Sequence, residues 1–314
     1  MPKLSLVISV YNEEANVIPL TEKITASLKD FDYEVIYVDD GSQDNTVKNI
    51  LSMQDPHVVL IRFKKNYGQS SALAAGIDHA SGDYIVTLDG DMQNDPADIP
   101  MMVKLAEEGG WDLVAGVRKI RKDDFFIRKI PSRIANRIIR KTTGVKMKDN
   151  GCALKVFRGE IAKQISLYGE LHRFIAVLAA LEGATITQVD VNHHPRVHGK
   201  SKYGLSRTFK VVSDLILLLF IKQYLQKPMH FFGKWGMIIF IPGLLINLYL
   251  LILKIFGHDI WGRPLLILGI LLLVAGFQMI TSGIIAELVM RTYYESQQKK
   301  PYRIQNIFKG GKQV

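Results

Sequence analysis

The chain has 314 residues, a single cysteine and a formal charge of +10 at pH 7, from 40 Lys and Arg against 30 Asp and Glu. One thiol excludes an internal disulfide and fits a reducing compartment, and the length allows about two domains. Surplus positive charge points to nucleic acid, anionic lipid or phosphorylated substrates; no nucleic-acid-binding motif is present, which leaves lipid and phosphate.

Apolar runs of strand length lie at 4–10, 33–38, 58–62, 84–88 and 112–116, separated by helix-like segments at 14–28, 45–53, 70–79 and 96–107. Strands alternating with helices predict βαβ units and a mostly parallel α/β sheet. Glu13-Glu14 and Asp44-Asn45 supply helix-start signals. From 119 to 128 charge density rises and periodicity is lost, which predicts a mobile loop; 131–142 reads as a basic helix and 185–191 as a strand at the sheet edge. Segment 206–226 interleaves Phe209, Leu215, Leu219 and Phe220 with Arg207, Lys210, Asp214 and Lys222. Two readings stand for it: a helix in the membrane interface or a surface helix packed on the domain.

Met237 to Phe256 and Leu265 to Val289 are apolar over about the 20 residues that span a bilayer, and a short connection joins them, so they predict a transmembrane hairpin. Lys222, Lys227 and Lys234 precede the hairpin, and Arg291, Lys299, Lys300, Arg303, Lys309 and Lys312 follow it. By the positive-inside rule the N-terminal domain and the tail are both cytoplasmic. Only Met1-Pro2-Lys3 come before Leu4, so no signal peptide is expected, and the polar, basic tail after Gln297 is expected to be poorly ordered. The predicted organisation is a catalytic domain over 1–204, an amphipathic region over 205–228, the hairpin over 229–292 and a basic tail over 293–314. Glu287 inside the second span is costly in lipid and must face a protein partner or the interface, which points towards a homo-oligomer.

Chemistry concentrates at strand ends. Asp89-Gly90-Asp91 follows the apolar run 84–88, and residues i and i+2 of a strand share a face. Two carboxylates at the carboxyl end of a buried strand can aim at one cation, and oxygen-only ligands suit Mg²⁺ or Mn²⁺. An acidic turn before Asn94, Asp95 and Pro96 explains the same residues without a metal. The first strand ends at Tyr11-Asn12-Glu13 and the second at Asp39-Asp40-Gly41, so acids from neighbouring strands converge on one crevice, with Asp39 or Asp40 placed to bind a base or ribose.

These motifs, in this order over residues 4–205, resemble glycosyltransferase family 2, whose fold is a nucleotide-diphosphosugar transferase domain of GT-A type. Asp89-Gly90-Asp91-Met92-Gln93, Arg118, Arg128-Lys129-Ile130-Pro131-Ser132, Arg196 to Tyr203 and the terminal hairpin narrow the resemblance to the polyprenyl-phosphate glycosyltransferases. That resemblance implies donor contacts from Tyr11, Glu13 and Asp40, and service to metal and diphosphate from Asp89, Asp91 and Gln93. It places Arg118, Arg128, Ser132 and Arg196 around the phosphates of donor and acceptor. Lys200 and Lys202 fit the acceptor phosphate or an approach to anionic headgroups equally well. His193, His194 and His198 read as structural or loop residues.

The implied reaction moves a sugar from a nucleotide-diphosphate sugar to a membrane polyprenyl phosphate, by an inverting single displacement through an oxocarbenium-like transition state. A metal would neutralise the departing diphosphate. The acceptor phosphate, with a second pKa near ~6, is already ionised at neutral pH; an acid is needed only to orient it. Asp149 is the candidate for that task, and a simple turn aspartate before Gly151 is the competing reading. Only two spanning helices gives the pattern a bacterial look, which favours a UDP-hexose such as UDP-glucose over the GDP-mannose of dolichol-phosphate-mannose-type synthases. A processive polysaccharide synthase would carry Gln-x-x-Arg-Trp, and none of Trp111, Trp235 and Trp261 sits in that context. A non-catalytic membrane scaffold would not need the intact acids and arginines.

Overall fold

The computed structural model describes residues 2–118, 147–165, 167, 169, 171–195, 220, 224, 227–296, 308–309 and 312–313. The chain divides at 215/216 into two compact units, each taken by itself below. The expected loop at 119–128, the basic helix at 131–142 and most of the amphipathic segment at 206–226 lie outside the described residues.

In the first unit the chain runs β1 (Lys3–Val10), α1 (Val17–Ser27), β2 (Asp32–Asp39), α2 (Thr46–Ser52), β3 (Val58–Arg62), α3 (Gln69–His79) and β4 (Tyr84–Asp89). A 3₁₀ turn (Pro96–Asp98), α4 (Ile99–Gly109), β5 (Leu113–Arg118), β6 (Lys155–Arg158), α5 (Gly159–Gln164), α6 (Ile175–Leu181) and β7 (Ile186–Val191) follow. The sheet order is β3-β2-β1-β4-β6-β5-β7. All pairings are parallel except the two made by β6, which runs antiparallel between β4 and β5. β7 takes the edge position the sequence predicts.

Both faces of the sheet are covered, which is why its strands read as continuous apolar runs rather than alternating ones. Leu4, Leu6, Ile8 and Val10 of β1 pack under α1 and α4, with Leu20, Ile24, Met102 and Val103. Val7 points the other way, into a second core with Ala72, Leu73 and Ile77 of α3, Phe157 of β6 and Ala176 of α6. The parallel strands β3, β2, β1 and β4 therefore deliver their carboxyl ends to one edge, where ligands bind in open α/β sheets.

The second unit contains α7 (Pro228–Ile255, 28 residues) and α8 (Pro264–Ser296, 33 residues). At 1.5 Å per residue each exceeds the ~30 Å of a bilayer core. Their spans have mean hydropathy 2.4 and 2.3, and only 17% and 11% of the most apolar windows is buried. A pair of soluble core helices would be mostly covered; these present Leu244, Leu248, Leu271 and Phe277 outward. The two helices meet along glycines. Gly243 on α7, and Gly269, Gly276 and Gly283 on α8, are all buried in the seam, the last three at a seven-residue interval that keeps them on one face. A Cβ on Gly276 would stand 2.6 Å from the Phe240 backbone nitrogen.

Candidate active site

A crevice of about 270 Å³ opens at the carboxyl ends of β1, β2 and β4. Tyr11 and Glu13 come from beyond β1, Asp40 from the end of β2, Asp89 and Asp91 from β4 and the turn after it, and Asn66, Gly68 and Gln69 from the approach to α3. Two non-glycine residues beside this crevice hold left-handed backbone: Asn12 (φ 54°) and Met92 (φ 59°). Asn tolerates that region, but a methionine there is strained, and such strain concentrates where geometry serves function. The turn at Met92 brings Asp91 round to the crevice beside Asp89.

The two acids are held differently. Asp89 Oδ1 accepts a 2.7 Å hydrogen bond from Gln69 Nε2, at the first residue of α3. Asp91 is 6% exposed and its Oδ1 accepts from the Gln93 backbone N–H at 3.1 Å. Oxygen donors at one crevice suit a hard divalent cation. Among the described residues no three or more His, Cys, Asp or Glu side chains gather into a metal cluster. A cation here would complete its shell from water and phosphate oxygens, as Mg²⁺ commonly does. Gln93 is half-buried and outside the crevice lining; its backbone carbonyl accepts from His194 N at 2.8 Å.

The pair Asp39-Asp40 separates into two jobs. Asp40 lines the crevice and accepts from the N–H groups of Tyr67 (2.6 Å) and Gly68 (3.0 Å), which ties the loop before α3 to the end of β2. Burial raises its pKa, the two N–H donors lower it, and neighbouring Asp39 adds to the rise; the balance is upward. Asp39 is 0% exposed, accepts from Ser42 N with both oxygens and lies 4.0 Å from Arg62 Nε. Asp39 thus shapes the turn after β2, and Asp40, the next residue, is the one of the pair that lines the crevice.

Arg118 and Asp149 are also not separate agents. Nε of Arg118 meets Oδ2 of Asp149 at 2.7 Å and Nη2 meets Oδ1 at 2.9 Å, with side chains 16% and 6% exposed. This is the bidentate fork that arginine makes with carboxylates. Gly151 N adds a third donor to Oδ1 at 3.1 Å, so the turn geometry and the ion pair share one carboxylate. The pair couples Arg118, the last residue of β5, to Asp149 in the turn leading into β6.

Beyond β4 the loop is clamped to the strand at the far edge. Asp98 accepts from Asn192 N (2.7 Å) and Asn192 Nδ2 (2.9 Å), and His194 Nε2 lies 2.8 Å from Asp95 Oδ2. Burial pushes the Asp95 carboxyl up, but the bonds from His194 and Ala97 N outweigh it and hold it below its ordinary value. His194 thus ties the segment after β7 to the loop after β4. Arg128, Ser132, Arg196, Lys200, Lys202 and His198 lie outside the described residues.

Gln69 and Asn66 were not legible as site residues. Asn66-Tyr67-Gly68 carries a turn signal before a helix, which locates the loop but not its partner Asp40.

A model of glycosyl transferase family 2 matches residues 5–166. The chain is 45% identical to dodecaprenyl-phosphate galacturonate synthase of Rhizobium johnstonii, over 98% of this chain and 93% of that protein. It is 35% identical to undecaprenyl-phosphate 4-deoxy-4-formamido-L-arabinose transferase of Proteus mirabilis, over 97% and 94% of the two chains. Among solved structures, glucosyl-3-phosphoglycerate synthase of Mycobacterium tuberculosis in complex with Mn²⁺, UDP and glucosyl-3-phosphoglycerate aligns with a TM-score of 0.57 at 16% identity, over 70% of this chain and 80% of that one. At that identity the likeness establishes the fold.

Proposed function

The chain belongs to glycosyl transferase family 2, and from that premise we propose that it transfers a hexuronic acid from a UDP-sugar, UDP-galacturonate first, to the phosphate of a membrane polyprenyl phosphate. The observation that carries this reading is the 45% identity to a dodecaprenyl-phosphate galacturonate synthase along nearly the whole of both chains, spanning helices included. In this proposal UDP-galacturonate takes the place of the UDP-glucose expected from sequence.

Asp40, Tyr11 and Glu13 are the residues proposed to bind the nucleoside, and Asp89 and Asp91, with Gln93, to hold a divalent cation. When bound, that cation supplies Lewis-acid neutralisation of the leaving diphosphate. The oxygen-donor pair at the crevice fits Mg²⁺ or Mn²⁺, and the distant structural relative was crystallised with Mn²⁺ and UDP. Arg128, Ser132, Arg196 and Lys202 are proposed to collect the acceptor phosphate, whose ionised oxygen attacks the anomeric carbon as the diphosphate departs. With the nucleophile ionised, the protein's work is orientation and charge stabilisation rather than proton abstraction. The hairpin is proposed to anchor the chain in the plasma membrane, with the catalytic domain and tail on the cytoplasmic side.

The test is direct. Purified protein is incubated with polyprenyl phosphate and UDP-galacturonate, UDP-glucose, UDP-4-formamido-arabinose or GDP-mannose, and the lipid product is read by mass. The expected product is a polyprenyl phosphate carrying one hexuronate. A product from UDP-glucose or the arabinose donor alone corrects the sugar, and no lipid-linked product from any donor overturns the reading.

A further inference from the structure

Four consecutive residues at the start of α3 fasten three different parts of the first unit. The N–H groups of Tyr67 and Gly68 donate to the two carboxylate oxygens of Asp40, at 2.6 and 3.0 Å. Gln69 Nε2 donates to Oδ1 of Asp89 at 2.7 Å. Ser70 is 0% exposed; its Oγ accepts from the His172 backbone N–H at 3.1 Å and lies 2.9 Å from Nδ1 of the same residue. Gly68 makes the run possible, since its backbone (φ 94°, ψ 156°) lies where essentially only glycine goes.

Of the four, Gln69 alone meets an acid of the crevice through its side chain, and that side chain is half-buried in the crevice lining. Asp40 holds the backbone on one side of it and His172 on the other, so the bond to Asp89 costs little further chain freedom. The chemistry of the partner matters. Lysine or arginine here would also hold Asp89, but would cancel its charge and repel a cation. The glutamine amide donates a hydrogen bond and carries no charge. It can fix the direction of the carboxylate while leaving its attraction for a metal intact, which is how carboxylate ligands are commonly supported. One run of three residues thereby references both Asp40, at the nucleoside end, and Asp89, at the cation end.

We propose that Gln69 is a positioning residue that sets Asp89 in register with Asp40, so that nucleoside and metal-bound diphosphate of one donor molecule are met together. This rests on the metal reading above. Gln69 acts through Asp89 and not on the reacting atoms.

The experiment uses full-length wild type and Gln69→Met, which keeps the side-chain length and removes the amide. The bonds to Asp40 come from backbone N–H groups and survive the substitution. UDP binding is measured by calorimetry in EDTA, and Mn²⁺ binding in the presence of UDP by loss of the free-ion EPR signal. Gln69→Met should bind Mn²⁺ about tenfold more weakly than the wild type, with metal-free UDP affinity unchanged. Should Gln69→Met not fold, Gln69→Ala is read in its place. Equal Mn²⁺ affinity of variant and wild type overturns the role of Gln69 and leaves the metal site standing. An equal loss of metal-free UDP binding also overturns it, by reducing Gln69 to general support of the loop. No Mn²⁺ binding by the wild type, with UDP present, overturns the metal reading and the inference with it.

Discussion

Asp89 and Asp91 reach one crevice by different means: Asp89 from the strand, Asp91 by way of the strained turn at Met92. The same unit also holds ion pairs among its described residues. The Arg118–Asp149 fork is the tightest of these, and both side chains are largely removed from water. Breaking such a pair from one side strands the other charge. Asp149→Ala and Arg118→Ala are each expected to cost roughly 3 kcal/mol, with the double variant costing less than the sum. Thermal or chemical unfolding of the four proteins measures this; full additivity would show the pair to be uncoupled. Asp40 carries a pH prediction. Its pKa lies above the ordinary 3.8, so an ionised carboxylate at the crevice persists above that raised value and disappears as pH falls through it. UDP binding by calorimetry should therefore weaken on acidification earlier than an ordinary aspartate would dictate. Asp40→Asn should bind weakly and lack that limb; a limb retained in the variant would assign it to another acid.

At the level of elements, the parallel strands were legible because burial on both faces writes them as short apolar runs between helices. Every one of those five runs is a strand within two residues of its expected ends. β6 was not legible. It has four residues, Lys155-Val156-Phe157-Arg158, and a charge at each end hides the two apolar ones. Only tertiary pairing between β4 and β5 makes it a strand. The same limit applied to the site: acids at strand ends could be read from position, but the partners of Asp40, Asp89 and Asp149 come from a loop, a helix start and a strand end distant in sequence. The helix pair is the opposite case, since its length and apolar composition speak for themselves, while its close seam depends on glycine. Gly276→Leu must displace the Phe240 backbone, and is expected to lower thermal stability in detergent by about 1–3 kcal/mol equivalent. Ala275→Leu, on the exposed side of the same turn, should change little. Equal melting temperatures for the two variants would mean that the seam does not hold the helices together.

For the whole molecule the decisive question is which side of the membrane each part occupies, since the crevice can use a cytoplasmic nucleotide sugar only if it lies on that side. The charge distribution argues one way. Lysines and arginines flank the outer ends of the helix pair, whereas the connection between Ile255 and Pro264 holds His258, Asp259 and Arg263, close to neutral. By the positive-inside rule the connection is expected outside and both flanks in the cytoplasm. The single native thiol, Cys152, is buried, so a Cys152→Ser background gives a clean starting point for placing one new cysteine at a time. In intact cells a membrane-impermeant maleimide should label Ile260→Cys directly. Lys29→Cys and Lys312→Cys should be labelled only after the membrane is opened. The reverse pattern would put the donor crevice on the wrong side for a cytoplasmic UDP-sugar and would require the reaction to be reassigned; labelling of all three in intact cells would remove the helices from the membrane altogether.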